Sequence, residues 1–190
     1  MLSEKLKENT KTAHLELEKL LVQNIKSIRT VEDYLEILVY FYRFYAPLEK
    51  EIYFRLRKDL TDLAKRRKTE WIIEDLKNFH SSHSTLPPDS NIPVIKNNLQ
   101  AMGAMYVMEG STLGGQLICK MISKKLEISS GKGFTFFSGY GEDTGHMWEN
   151  FKKFINNKNL VYEEEKEVID AANMTFNLFK QSISQIKSEI

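Results

Sequence analysis

The stretch VIKNNLQAMGAMYVMEGSTLGGQLICKMISKKL, residues 94–126, decides the fold class of this chain. It is apolar over most of its length and carries no proline and no useful alternation of apolar and polar residues, so it predicts one long helix over 94–126. Lysines and a glutamate interrupt it before about 18 apolar residues can follow one another, which argues against a membrane span.

The rest of the sequence also favours helices. Its four prolines stand at 47, 87, 88 and 93, and all nine glycines lie between 103 and 145. Pro47 predicts a kink near Phe44, because the proline ring removes an amide donor. We predict an all-α, irregular bundle of six to nine helices in a single domain over 1–190. Besides 94–126, the expected helices are one capped by Ser3, then Thr30 to about Lys58, a short helix or turn over 59–67, and 70–80, 144–155 and 162–190.

Composition excludes several classes of function. Twenty-seven basic and 26 acidic side chains leave a formal charge of +1, so no global field attracts nucleic acid or an anionic membrane. The single cysteine, Cys119, excludes an internal disulfide and a cysteine-based zinc site. With no signal peptide and no membrane insertion expected, we predict a cytoplasmic protein.

Two groups of histidines are candidates for chemistry. His80 and His83 fall among serines at a predicted helix end, and solvated loop histidines are the simpler interpretation. His14 lies at the border of the inner face of the first helix, where it is either a hydrogen-bonded core histidine or a ligand. Lys7 lies on the same face about 10 Å away, a separation that suits a flat ligand with a metal centre and an acidic edge.

The glycines of the long helix need a reason, since each costs about 1 kcal/mol relative to alanine in a helix interior. Gly103, Gly110 and Gly114 share one face, with Gly115 beside them. A tight helix crossing explains Gly110 and Gly114 well and Gly115 poorly. The alternative is a planar ligand that approaches the helix backbone, and a phosphate cradle is the weaker option because no P-loop pattern is present.

Three further sets of residues leave alternatives open. The second helix carries dense aromatic residues between Tyr34 and Tyr45, most of them expected in the core, with one or more hydroxyls available to a buried pocket. The basic run Lys65–Lys68 is expected to be a solvated face, although it could bind an acidic partner. Lys152 and Lys153 either face water or reach an anionic group at a pocket mouth.

Four segments in order along the chain resemble the haem oxygenase family. Residues 2–18 (LSEKLKENTKTAHLELE) resemble the family's opening, which carries the proximal haem ligand. Residues 42–52 (YRFYAPLEKEI) are similar to its second-helix pattern. Residues 106–116 (YVMEGSTLGGQ) resemble the glycine-rich distal helix in the G-S-x-L-G-G form of the shorter bacterial members, and 130–137 (SGKGFTFF) resemble the loop that follows.

The resemblance implies a role for each matching residue. His14 matches the axial ligand of the haem iron, and Glu18 its acidic neighbour. Lys7 matches a cation that pairs with a haem propionate, and Lys152 falls where mammalian enzymes place a propionate-binding arginine. The remaining matches lie on the distal side of the haem. Gly110, Gly114 and Gly115 match residues of the distal helix that contact the cofactor, and Tyr45 matches a tyrosine of the distal hydrogen-bond network.

One departure concerns proton delivery. Mammalian members have an aspartate directly after the first distal glycine, and here that position is Ser111, as in the bacterial branch. Tyr45, backbone carbonyls near Gly110 and the hydroxyls of Ser111 or Thr112 are candidates for the same task.

The activity implied is oxidative cleavage of haem b at a meso carbon to biliverdin, CO and ferrous iron. It uses O2 and an external electron donor, a ferredoxin or a flavoprotein reductase, because the sequence carries no flavin or dinucleotide motif. The alternatives are a non-catalytic haem carrier or gas sensor on the same fold, and a thiaminase-like helical enzyme that binds no haem.

Overall fold

The computed structural model describes residues 1–79, 91–128 and 133–184, and in this part of the chain it contains helices and no strand, which confirms the all-α prediction. Two short 3-10 turns, Leu63–Lys65 and Gly141–Asp143, accompany the α-helices. In chain order the helices are α1 (Leu2–Asn9), α2 (Lys11–Ser27), α3 (Val31–Leu56), α4 (Glu70–Asn78), α5 (Asn98–Leu126), α6 (Thr135–Ser138), α7 (Thr144–Asn156) and α8 (Tyr162–Ser184).

The N-terminal segment is two helices rather than the one predicted. The cap of α1 is Met1 and not Ser3, which is buried and donates its backbone N–H to the Asn156 side chain at 2.9 Å. Thr10 separates α1 from α2, and its hydroxyl donates to the Leu6 carbonyl at 2.8 Å. The Leu6 carbonyl thus accepts from both the hydroxyl and the backbone N–H of Thr10, and a side-chain bond of this kind bends helices, which fits a break at a threonine.

Helix α3 begins where the sequence predicts. Thr30 caps it, and Asp33 returns the bond by accepting the Thr30 backbone N–H at 2.9 Å, which completes a capping box. The helix continues through Pro47 to Leu56, so the proline removes one backbone bond without ending the helix. The kink near Phe44 stays a prediction.

Helix α5 lies at the centre of the bundle and contacts α2, α3, α6, α7 and α8. It begins at Asn98, capped by the Asn97 side chain, so the predicted start at Val94 was four residues early. Asn97 ends the extended segment before it because an asparagine side chain satisfies a free helix amide. A Cβ on Gly103 would overlap the Val168 carbonyl, so this glycine permits close packing of α5 on α8.

Aromatic side chains fill the core between α3, α6 and α8. Phe41, Phe44 and Tyr45 pack within 5 Å of the Phe179 ring, centroid to centroid. This confirms that most of the α3 aromatic residues are core. No helix in the described ranges is long and apolar enough to cross a membrane.

The prediction for the basic run Lys65–Lys68 was wrong in part, because Arg66 and Arg67 are 3% and 7% exposed. His80, His83 and part of the 130–137 loop lie outside the described residues, as does the predicted end of the last helix beyond Ser184.

Candidate functional site

A cavity of about 410 Å³ lies between α2 and α5, and its lining includes His14, Lys7, Gly114, Tyr45 and Lys152. The first half of α2 lines the cavity with His14, Leu17 and Glu18, and its second half only with the apolar residues Leu21, Val22 and Ile25. On α5 the lining residues Leu113 and Leu117 remain 50% and 62% exposed. Large apolar side chains left open beside a cavity indicate a surface that a ligand covers.

His14 stands on α2 with its side chain exposed in the cavity wall. Its ring centroid lies 5.5 Å from that of Phe176 on α8, tilted by 45°. Within the described part of the chain neither ring nitrogen of His14 has a hydrogen-bond partner, and Glu18, its acidic neighbour, makes no bond to it. Glu18 does line the cavity one turn further along α2. An imidazole nitrogen is therefore available to a ligand at this wall.

Two lysines supply positive charge to the cavity. Lys7 lies on α1 and is exposed. Lys152 lies on α7, half-buried, and is paired with Glu149 at 2.7 Å. The predicted alternative in which Lys152 reaches a pocket mouth is thus compatible with its placement, and a ligand carboxylate would have to compete with Glu149 for it.

The glycines of α5 divide between two tasks, and the division corrects the expectation from their spacing. A Cβ on Gly115 would overlap the Phe137 carbonyl oxygen, so Gly115 serves helix packing and does not line the cavity. A Cβ on Gly114 would meet nothing within 4 Å, and this glycine does line the cavity. Gly110 also lines it, with the Trp148 ring 3.7 Å from the place of its Cβ. A tight crossing therefore explains Gly115 and leaves Gly114 unexplained, the reverse of the expectation.

Tyr45 places a fully buried hydroxyl at the cavity wall. Burial raises the pKa of Tyr45, while the nearby Arg67 charge and Ser111 hydroxyl lower it, so the net shift is upward and the phenol stays protonated. Although Ser111 is near, the Tyr45 oxygen makes no bond that satisfies hydrogen-bond geometry. Because a buried hydroxyl costs free energy without a partner, Tyr45 fits a cavity whose occupant supplies one.

The hydroxyl groups of Ser111 and Thr112, which follow Gly110, already donate their protons to backbone carbonyls. Ser111 donates to the Met108 carbonyl and Thr112 to the Glu109 carbonyl, each at 2.7 Å. A hydroxyl carries one proton, so neither donor is free for a ligand in this arrangement. Among the candidates weighed from the sequence, Tyr45 and the backbone carbonyls near Gly110 remain.

Arg67 is the cavity residue that sequence reasoning missed. It follows the turn Leu63–Lys65, and its Nη2 atom donates to the Met108 carbonyl at 2.7 Å and to Ser111 Oγ at 2.6 Å. No other guanidinium nitrogen of Arg67 has a hydrogen-bond partner among the described residues. Its partners lie more than forty residues away along the chain, so no local signal distinguishes it from a solvated arginine.

A metal ion would find few protein ligands here, because the described ranges contain no group of three or more histidine, cysteine, aspartate or glutamate side chains able to hold one. Iron carried by a porphyrin needs only an axial ligand from the protein.

Comparison with known proteins then decides the family, because the family model described as "Heme oxygenase" matches residues 1–185. The chain belongs to the haem oxygenase family. A search of curated proteins gave no match.

The fold of this haem oxygenase family member is similar to three solved haem oxygenases. The one from Neisseria meningitidis, determined with NO and CO bound, has 24% identity and a TM-score of 0.84 over 99% of this chain and 92% of that chain. Haem oxygenase-1 of Synechocystis sp. PCC 6803 in complex with haem has 16% identity and a TM-score of 0.79 over 99% and 93%. Haem oxygenase-2 of the same organism, with haem and NO, has 18% identity and a TM-score of 0.74 over 99% and 86%.

Proposed function

We propose that this chain is a haem oxygenase that cleaves haem b at a meso carbon to biliverdin, CO and ferrous iron, with O2 and electrons from an external ferredoxin or flavoprotein reductase. The observation that carries the proposal is that His14 and the open surface of Gly114 line the same cavity. Family membership favours this class of reaction, and these two residues would supply what haem needs, a ring nitrogen to hold the iron and a flat wall for the porphyrin.

The residues present fit haem on three counts. A flat ring can lie against α5 at Gly114, where a Cβ would meet nothing within 4 Å. The apolar wall formed by residues such as Leu117 and Ile25 suits the body of a porphyrin, and Lys7 and Lys152 suit its two propionates. The unpartnered Tyr45 hydroxyl lies where a ligand could accept its proton.

Each part of the cavity then has a task. His14 would hold the iron through a ring nitrogen, and Lys7 and Lys152 would orient the substrate by its carboxylates. Gly110 and Gly114 would keep side chains away from the distal face, which leaves space for O2. Bound haem supplies the redox chemistry and activates O2.

Protons would reach the distal face from groups of this chain. The Tyr45 hydroxyl is protonated and unpartnered, and the guanidinium of Arg67 keeps free donors beside it. Ser111 would act through its position as the acceptor that holds Arg67, which is how a chain without the distal aspartate could still direct a proton.

Reconstitution with hemin tests the proposal. Under O2 with a reductase or ascorbate, we expect loss of the Soret band and a bilin product identified by chromatography, with release of CO. His14→Ala is expected to lose the axial bond and nearly all turnover while circular dichroism keeps its helical signal. His146→Ala is the matched control, because His146 is exposed on α7 and does not line the cavity.

A non-catalytic haem carrier is the second candidate, since Ser111 replaces the acidic residue and its proton is committed to Met108. It predicts a Soret band that persists through many equivalents of reductant under O2. That result in the wild-type protein would reject the oxygenase and favour the carrier.

A further inference from the structure

A buried polar cluster lies beside the cavity and outside it, and the proposed mechanism leaves its members without a task. Glu109 directly precedes Gly110 on α5 and is only 4% exposed. Its carboxylate accepts from Arg66 Nη1 at 2.5 Å and from the Tyr140 hydroxyl at 2.9 Å. Arg66 also pairs with Asp62 at 2.8 Å, so one buried guanidinium bridges two carboxylates.

Tyr140 connects this cluster to the cavity wall. Its hydroxyl donates to Glu109 and accepts the backbone N–H of Arg67 at 2.7 Å. One oxygen thus fixes both the orientation of the carboxylate and the main chain of the arginine. The same residue, Arg67, turns its guanidinium towards Ser111 and Met108 at the cavity.

Besides its bonds to Met108 and Ser111, the Arg67 guanidinium is held by aromatic contacts and by no ion pair in the described part of the chain. Its guanidinium carbon lies 4.3 Å from the Phe136 ring centroid, and no carboxylate of the described residues lies within 4 Å of it. A long arginine side chain loses considerable rotamer entropy when it is held in place. The bond from the Arg67 backbone N–H to Tyr140, at 2.7 Å, fixes where this side chain begins and so bears on how its guanidinium meets Ser111 and Met108.

We propose that Tyr140, oriented by Glu109, is a positioning residue that holds Arg67 at the distal wall of the cavity. This inference rests on the proposed function, because it assigns Arg67 a task towards the ligand. Tyr140 itself does not line the cavity and contacts no ligand. It acts by setting where the positive charge of Arg67 lies.

The consequence is electrostatic. A cation near the distal face favours the deprotonated form of a water molecule there. If Tyr140→Phe lets Arg67 withdraw, the acid–alkaline transition of the ferric hemin complex moves to higher pH. We expect a rise of about one pH unit, a tenfold change in the ionisation constant, and a loss of about tenfold in turnover, the usual size for a group that orients another.

The test compares Tyr140→Phe with Tyr162→Phe, whose ring is 72% exposed and which is therefore the matched control. Hemin affinity from Soret titration is expected to stay within about threefold of wild type in both variants, since Tyr140 is outside the contact surface. The pH titration of the ferric complex is expected to shift in Tyr140→Phe alone. An unshifted titration with wild-type turnover would overturn the positioning role.

A double-mutant cycle separates positioning from plain stability. If Tyr140 acts through the charge of Arg67, the shift in Tyr140→Phe/Arg67→Gln equals that in Arg67→Gln, because no charge remains to be displaced, whereas independent effects add. Additive shifts would contradict the proposal. If Tyr140→Phe does not fold, the same pH titration and double-mutant cycle are carried out with Glu109→Gln. This substitution keeps Tyr140 and weakens the hydrogen bond that orients it.

The two proposals fail in distinguishable ways. Wild-type protein that neither binds hemin nor degrades it would overturn the proposed function. Wild-type protein that does both, with Tyr140→Phe unchanged, would overturn only the role of Tyr140.

Discussion

Gly114 and Gly115 on α5 are present for different physical reasons. Alanine substitutions at the two positions should therefore change the free energy of unfolding in opposite directions. Gly114 faces open space, so Gly114→Ala should stabilise the hemin-free protein by up to about 1 kcal/mol through helix propensity. Gly115→Ala forces a methyl group into the Phe137 backbone and should destabilise by about 1–3 kcal/mol. Urea unfolding without hemin measures both free energies, and equal signs would contradict this division.

A larger substitution at Gly114 tests whether this residue contacts hemin. Gly114→Leu should block the flat wall and weaken hemin binding by at least tenfold, because a side chain occupies the space a ring would use. Gly145→Ala on α7 is the control, since its Cβ also meets nothing within 4 Å and it lies outside the cavity. Normal affinity in Gly114→Leu would mean that the ligand lies elsewhere.

The carboxylate that caps helix α3 contributes to the free energy of unfolding, and this contribution depends on pH. The backbone N–H groups of Arg29 and Thr30 donate to Asp33 and lower the pKa of its carboxyl. A carboxyl whose pKa is lowered on folding stabilises above its unfolded pKa of about 3.9, and this contribution disappears as the pH falls through the folded value. We expect Asp33→Ala to cost about 1 kcal/mol at pH 7, with the difference from wild type shrinking below about pH 4.

Chemical denaturation at several pH values measures this, with Glu36→Ala as the control on the same helix. Glu36 is exposed, so its removal is expected to change stability by less than about 0.5 kcal/mol. A difference between Asp33→Ala and wild type that does not vary with pH would show that the carboxylate's charge is not what stabilises the cap.

Elements with local signals were the ones the sequence could predict. Thr30 and Asp33 are three residues apart, and the 3.6-residue pattern needs only one turn of context, so the start of α3 and the all-α class followed directly. The break at Thr10 could not be predicted in the same way, because Thr10 also occupies a regular inner-face position. Its side-chain bond to Leu6 is visible only in the structure.

The site residues that could be predicted were likewise those with a local signal in the sequence. His14 and Lys7 could be proposed from their spacing on what the sequence predicts as one helix, and both line the cavity although Thr10 divides them between α2 and α1. Arg67 and Glu109 could not, because their burial depends on partners more than thirty residues away. Whether Gly114 or Gly115 faced the ligand also depended on where Phe137 packs, which no pattern in the helix itself contains.

At the scale of the whole molecule, the cavity lies between α2 and α5, and both helices pack against α8. A ligand that bridges them binds the folded chain and not the unfolded one, so it stabilises by mass action. Free hemin at a hundred times its dissociation constant should add about 2.7 kcal/mol, which for a chain of this length raises Tm by about 5–10 °C. Protection from hydrogen exchange should rise in the middle of α2 and α5.

His14→Ala at the same total hemin concentration distinguishes bridging from nonspecific hydrophobic binding. Losing the axial bond lowers the affinity, so we expect a smaller rise in Tm and less added protection in α2, while His146→Ala keeps the full effect. Hemin bound only to the exposed leucines of α5 would protect α5 alone and would raise the Tm of both histidine variants equally. That outcome would remove His14 from the site, because the stabilisation of α2 by the ligand depends on a bond from α2 itself.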